Sequence, residues 1–302
     1  HPARAAEGIA ALDLVEPLGR PSVVWTLFDL LRPVLADELG CPVTHETVPG
    51  EDGQAALRYL LDAPASGLRL WGSAVMATQF HEQVGNDAVR IGDLVPIAKL
   101  TDGFSVALFG RADDTGLEWL PLLQQSAKEP QTLSCLQQAT AAYVAKLMAE
   151  KQGGLKTVTT LRDTLPEVIA DVVEGRARLG ILPTALVAKQ PNRLRPVITF
   201  GAARNTTLTS TPTFGEVMGN PKFAFTESIG VFGPPGLDSG LQGVLAKAFL
   251  DAGHSEALVA AAELSDFPVA VNDASVMAET MARNQRVLRR CELVERHIGM
   301  MR

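Results

Sequence analysis

The residues with which this chain could do chemistry are few: five histidines, three cysteines, a paired Asp113-Asp114 and a serine, Ser73, that follows a strand-like run and a glycine. A helical metal pair needs two ligands four residues apart on one face. His1, His45, His81, His254 and His297 show no such spacing. Zinc sites also draw on closely spaced thiolates, whereas Cys41, Cys135 and Cys291 are scattered along the chain. They read as small buried hydrophobes, with no metal and no cofactor expected. Ser73 sits where a nucleophile would, yet no nearby residue is marked as its base. Asp113-Asp114 lies in a turn-like polar context that suits a solvated loop better than acid/base work. Neither a Gly-x-Ser-x-Gly elbow nor a Gly-x-Gly-x-x-Gly or Gly-Lys-Ser/Thr phosphate string occurs. No catalytic residue is assigned, and the chain reads as a protein that is not an enzyme.

Something must still position whatever these residues do. The 302 residues suffice for about two domains. With 46% hydrophobic and 20% charged residues the composition is that of a globular protein. A formal net charge of -7 gives no electrostatic reason for nucleic acid or anionic lipid as a partner. No apolar run reaches the ~20 residues of a membrane span, so membrane insertion is not expected. His1 to Ala6 lacks the pattern of a signal peptide. Cytoplasmic residence and a signal already removed both fit that start.

Short apolar runs alternate with amphipathic helical stretches, the pattern of a layered α/β protein. Leu27, Leu31, Val34 and Leu35 share one side of a helix that Gly40 stops, with Pro33 inside it. Strands are predicted over 41–47, 68–71, 95–100, 104–109, 158–161, 179–182, 194–200 and 228–232. Helices are predicted over 54–63, 140–151, 166–174 and 241–251. A C-terminal helix starts near Asn272 or Asp273 and buries Met277, Met281, Leu288 and Cys291. Asn205 to Thr213 reads as a surface loop.

The string Leu39-Gly40-Cys41-Pro42-Val43-Thr44-His45-Glu46-Thr47-Val48-Pro49-Gly50-Glu51-Asp52-Gly53 resembles L-G-x-P-V-x-V-E-N-x-P-G-A-G-G. That pattern is a signature of the substrate-binding proteins of tripartite tricarboxylate transporters, the Bug receptor family. Further pieces follow in order. Pro64 to Leu70 resembles P-D-G-Y-T-L, and Asp93-Leu94-Val95-Pro96-Ile97-Ala98 resembles D-F-x-P-V-A. Asp171-Val172-Val173-Glu174-Gly175 resembles D-L-x-G-G. Leu194-Arg195 and Arg204 fit L-R-A-L-A-V-T-S-x-x-R. Pro212 to Glu216 resembles P-T-x-x-E, and Gly230 to Gly236 resembles G-x-x-A-P-x-G. The likeness runs from about Leu12 to the C-terminal helix.

The resemblance implies a type II periplasmic binding-protein fold: two α/β lobes joined by two crossover strands, with a ligand cleft between them. Lobe 1 would take residues 1–102 and 229–302, and lobe 2 residues 103–228. Lobe closure would be a hinge motion at the crossovers. It further implies a monomeric, periplasmic, exported receptor that hands a small organic acid to integral membrane transporter subunits.

Both ligand-holding loops depart from the family pattern. P-F-x-x-G-G-x-x-D has become Pro17-Leu18-Gly19-Arg20-Pro21-Ser22-Val23-Val24-Trp25, with Pro21 and Ser22 for the glycines and Trp25 for the acid. S-x-G-x-G-S-x-x-H has become Ser134-Cys135-Leu136-Gln137-Gln138-Ala139-Thr140-Ala141-Ala142, and V-P-Y-K-G has become Thr160-Leu161-Arg162-Asp163-Thr164. Glycines let successive N–H groups turn inward around a carboxylate, and Pro21 has no N–H to offer. A tight backbone nest is therefore not expected in either loop. The ligand-binding candidates are side chains and loop positions instead: Gly19, Arg20, Ser22, Trp25, Ser73, Ala74, Ser134, Gln137, Gln138, Thr140, Arg162 and Asp163. Trp25 either stacks on a ligand or plugs a cleft that has lost one. Arg162 either pairs with a ligand carboxylate or with an acid of the chain. Two functions stay open: a receptor with an atypical cleft, and a degenerate-cleft protein with a sensory or partner-binding role in the envelope.

Overall fold

The computed structural model describes residues 9–20, 22–50, 53–63, 68–84, 90–101, 103–137, 140–256, 258–260 and 269–290. The chain divides into two compact units. The first takes the chain up to Gly103 and Ser228–Ala282, and the second takes Phe104–Glu227 and the chain from Arg283. That last grouping differs from the sequence division, which kept everything after 229 in lobe 1.

The chain opens with strand β1 (Leu12–Glu16), helix α1 (Val23–Leu39), β2 (Val43–Thr47), α2 (Gln54–Leu61), β3 (Leu68–Ala74), α3 (Val75–Val84) and β4 (Val95–Thr101). Ser22 caps α1, its Oγ accepting from the Trp25 N–H at 3.1 Å. Gly40 ends the helix in the left-handed conformation, φ 65°. Pro33 lies within it on the exposed side. The buried face of α1 sets Phe28 directly on β3. A Cβ at Gly72 would lie 2.2 Å from the Phe28 ring, so only glycine permits that approach.

In the second unit the chain forms β5 (Val106–Arg111), α4 (Trp119–Lys128), β6 (Gln131–Leu136), α5 (Ala141–Lys151), β7 (Thr157–Arg162) and α6 (Leu165–Val173). It continues through β8 (Leu179–Pro183), α7 (Thr184–Ala188), β9 (Leu194–Thr199) and the short α8 (Phe214–Val217). Back in the first unit come β10 (Ile229–Gly233), α9 (Ser239–Gly253) and β11 (Val269–Asn272). The last described helix, α10 (Ala274–Arg290), follows. Asp273 accepts from the N–H groups of Ser275 and Val276 at its start.

The first sheet has the order β11-β4-β10-β3-β1-β2. β1 runs parallel to β2 and β3, and β10 runs antiparallel between β3 and β4. The second has the order β7-β6-β8-β5-β9, with β6 parallel to β7 and β8 and with β5 antiparallel to β8 and β9. Each sheet carries its own core: Val15, Leu57, Trp71, Phe232 and Met277 in one, Phe109, Val168, Val172 and Leu182 in the other.

Several elements carried no sequence signal strong enough to place. α3, α4, β11 and the short helices α7 and α8 lie where the sequence marks no element, and β6 takes in Ser134 to Leu136, which the family string places in a loop. Cys291, the proposed last buried position of the C-terminal helix, lies outside the described residues, whereas Met277 and Leu288 are buried as expected.

Candidate functional site

In open α/β sheets ligands gather at the carboxyl ends of the strands. In the first unit those ends are Glu16, Thr47 and Ala74, the last residues of three parallel strands. Glu16 and Thr47 are register partners across β1 and β2. Glu16 is wholly buried. Its carboxylate accepts from the Leu18 N–H at 2.7 Å and from the Gly19 N–H at 3.0 and 2.9 Å. The Thr47 hydroxyl donates to it as well. Gly19 reaches that position at φ 64°, and a Cβ there would stand 3.3 Å from Thr47 Cγ2. Two successive amides of the loop therefore do turn inward as a backbone nest, contrary to the sequence expectation, and they do so at Gly19, two residues before the positions of the family's glycines. The nest's occupant is the chain's own glutamate.

The remaining first-unit candidates are likewise engaged. The Arg20 guanidinium stacks over Trp25, 4.1 Å from the ring centroid. Trp25 packs on His45 at 5.4 Å, and Phe28 meets His45 edge-on at 5.6 Å. Burial holds His45 below its usual pKa, while Glu16 and Asp29 pull it up and Arg32 opposes them. Ser22 is spent on its helix cap. Ser73 Oγ lies 3.0 Å from Thr78 Oγ1, which donates to the Ala74 carbonyl. Among the described residues the partner of Ser73 is a hydroxyl and not a base. Pro21 lies outside the described residues.

In the second unit the parallel strands β6 and β7 end at Leu136 and Arg162, which are register partners. Ser134 belongs to β6 and not to a loop, and it is fully buried. Its Oγ donates to Asp171 of α6 at 2.8 Å. Arg162 donates to the same carboxylate through Nε (2.7 Å) and Nη2 (3.1 Å), and Arg176 adds Nε at 2.7 Å. Those donors, Arg162 foremost, hold the Asp171 pKa down at about 2. Gln137 Nε2 donates to Asp163 at 2.8 Å, and Thr140 Oγ1 donates to the Gln137 carbonyl at 2.7 Å while capping α5. Gln138 lies outside the described residues. Thus Ser134 with Arg162, and Gln137 with Asp163 and Thr140, are brought together, but around acceptors of the chain itself.

Glu16 and Thr47 carry no sequence signal that marks them for this place, and Asp171 stands out in the sequence only as part of a family string. Nor does a signal mark Thr184, buried after β8, which hydrogen-bonds to the Ser105 carbonyl and accepts from Asn205 Nδ2 at 3.3 Å. Cys41 and Cys135 are free thiols, and burial pushes Cys135 up to about 12. Among the described residues no group of His, Cys, Asp or Glu could hold a metal ion. No helix among them is long and apolar enough to cross a membrane.

No protein-family model matches the sequence, and no relative is found among curated proteins. Solved structures do match in fold. A TctC solute-binding protein from Polaromonas, without ligand, superposes at TM-score 0.73 with 15% identity, covering 95% of this chain and 98% of that one. The periplasmic binding protein BugD matches at 0.80 with 16% identity, covering 95% and 97%. MatC from Rhodopseudomonas palustris with bound malate matches at 0.77 with 16% identity, covering 92% and 98%. The chain has the fold of these solute-binding proteins, as the resemblance implied.

Proposed function

We propose that the chain is a divergent tripartite tricarboxylate-type receptor. It is exported to the periplasm, captures a small organic, carboxylate-bearing molecule by closing its lobes, and delivers it to integral membrane subunits of a transporter. The single observation that carries this reading is the fold, shared with solute-binding proteins over more than nine-tenths of the chain. One of those neighbours holds malate, which favours an organic acid. Capture without covalent chemistry fits a Ser73 paired with a hydroxyl and a Cys135 thiol held un-ionised by burial.

Thermal-shift screening of the purified chain tests the proposal. Mono-, di- and tricarboxylates, apolar aromatics and amines are compared at neutral pH. A rise in Tm with one group of acids supports an organic-acid receptor. A rise confined to apolar or cationic compounds removes the carboxylate from the proposal.

A second reading is favoured by one specific observation: Ser22, Ser73, Ser134, Gln137, Thr140 and Arg162 each already have a partner within the chain. In that reading the site has lost its solute, and the protein serves the envelope as a sensory or partner-binding component. A chain stabilised by no compound of the panel would favour it, and ligand density in crystals of the protein would end it.

A further inference from the structure

A carboxylate with no access to water is stable only where fixed donors replace its hydration shell. Glu16 is such a group, and cations are not what holds it. Its one ion-pair partner among the described residues is His45 Nε2, at 4.0 Å, and burial disfavours the charged form of that imidazole. The donors are instead two successive backbone amides, Leu18 and Gly19, and the Thr47 hydroxyl. Successive inward amides beside a residue in the left-handed region form an anion-binding nest. The loop meets that description because Gly19 takes φ 64°. Such a nest would accept a small carboxylate of any origin.

We infer that Glu16 is a resident carboxylate filling an anion cradle made by Leu18, Gly19 and Thr47, and that it determines specificity at this loop by excluding a ligand carboxylate from it. The tether is what makes exclusion effective. A group held two and three residues from its donors competes as an intramolecular ligand, at an effective concentration no free solute reaches. A solute approaching the end of β1 meets a filled nest and a negative charge. The end of the solute turned to this loop is therefore neutral or a hydrogen-bond donor. That consequence rests on the receptor reading, whereas the cradle does not.

Removing the tethered carboxylate should open the cradle to a free one. In Glu16→Ala, sodium acetate or propionate should raise Tm saturably, by about 3 °C above the effect of sodium chloride at equal ionic strength. Wild type and Glu16→Gln, whose cradles stay filled, should show no difference between the salts. An Ala variant that responds to acetate no more than to chloride overturns the inference. Should that variant fail to fold, amide exchange in the wild-type chain decides. The Leu18 and Gly19 amides should be protected at pH 7, and exchange at the rate of an unfolded peptide would overturn the cradle. Neither measurement involves a transported solute, so a wild-type chain that binds nothing in the organic panel would fail the receptor reading alone.

Discussion

Two buried carboxylates, one in each unit, meet the same physical demand by different means. Glu16 is held by backbone dipoles and a hydroxyl, with no cation in bonding range among the described residues. Asp171 is held by two guanidinium groups and a serine. The dipole solution needs a local backbone conformation, φ 64° at Gly19, and little else. The charge solution needs three side chains brought to α6 from β6, β7 and the turn that follows α6. Each engages candidate ligand positions, Gly19 in the first unit and Ser134 with Arg162 in the second. The lesson is that donors at the ends of these strands can be engaged within the chain, because the chain itself supplies the acceptor.

Breaking the second-unit arrangement should have the larger effect. Asp171→Ala leaves Arg162, a third exposed, and the buried Ser134 without their acceptor. Removing one partner of a buried pair costs about 3 kcal/mol, and denaturant unfolding would measure it. In the first unit, Glu16→Gln can keep its carbonyl oxygen where Oε2 accepts from both the Leu18 and Gly19 N–H groups and turn its NH2 toward the Thr47 hydroxyl, which then accepts. The donors stay satisfied and only the charge of the acceptor is lost, at a cost of about 1–2 kcal/mol. A larger loss for Glu16→Gln than for Asp171→Ala would reverse the comparison.

The two regions should also separate in pH. Asp171 titrates at about 2 in the folded chain against an ordinary 3.8, because Arg162 and then Arg176 and Ser134 favour its charged form. Its contribution is complete above 3.8 and is lost as pH falls from there through about 2. His45 is lowered from 6.5 by burial, with Glu16, Asp29 and Arg32 as the charges facing it. The unfolded chain therefore binds its proton first, and stability is lost as pH falls from 6.5 through the folded value. Tm followed from pH 8 to pH 5 should decline in wild type and stay flatter in His45→Phe, which keeps a ring against Trp25 and Phe28.

How much of this was legible in the sequence follows from the range of each interaction. The helix stop at Gly40, the start of the last helix at Asp273 and the α/β alternation are local, and they are readable. The loops are less legible, because where their donors go depends on partners elsewhere in the chain. Ser134 looked like a loop donor because a family string placed it there, but it lies inside β6. Its acceptor Asp171 is 37 residues away and meets it only when β6 packs against α6. Glu16 was missed for the opposite reason. Its closure spans three residues, yet nothing in Glu-Pro-Leu-Gly says that the amides turn back rather than outward. Gly19 stands among the candidate ligand positions, but nothing local marks it as the residue whose left-handed turn brings two amides onto Glu16.

That glycine gives the next sharpening of the contrast. Gly19→Ala should cost about 1–2 kcal/mol from the left-handed backbone alone, with a tight contact to Thr47 in addition. The second unit's cluster has no counterpart to it, since its donors are side chains. Gly19→Ala should therefore weaken the protection of the Leu18 amide while leaving the acid limb set by Asp171 unchanged.

The smallest effect falls on the outer half of the Asp171 cluster. Arg176 is half exposed and is shared between Asp171 and Glu174, so water and salt screen it more than Arg162. Exposed ion pairs contribute about 0.2–1 kcal/mol, and Arg176→Ala should fall within that range. The salt dependence is the sharper readout. In wild type, raising sodium chloride from low to high should weaken the Arg176 contribution and so narrow the gap to Arg176→Ala. The gap between wild type and Glu16→Gln should not move, because backbone dipoles inside a buried nest are not screened. A Glu16→Gln gap that shrinks with salt as fast as the Arg176→Ala gap would mean that both carboxylates are held by charge, and the contrast between the two units would be lost.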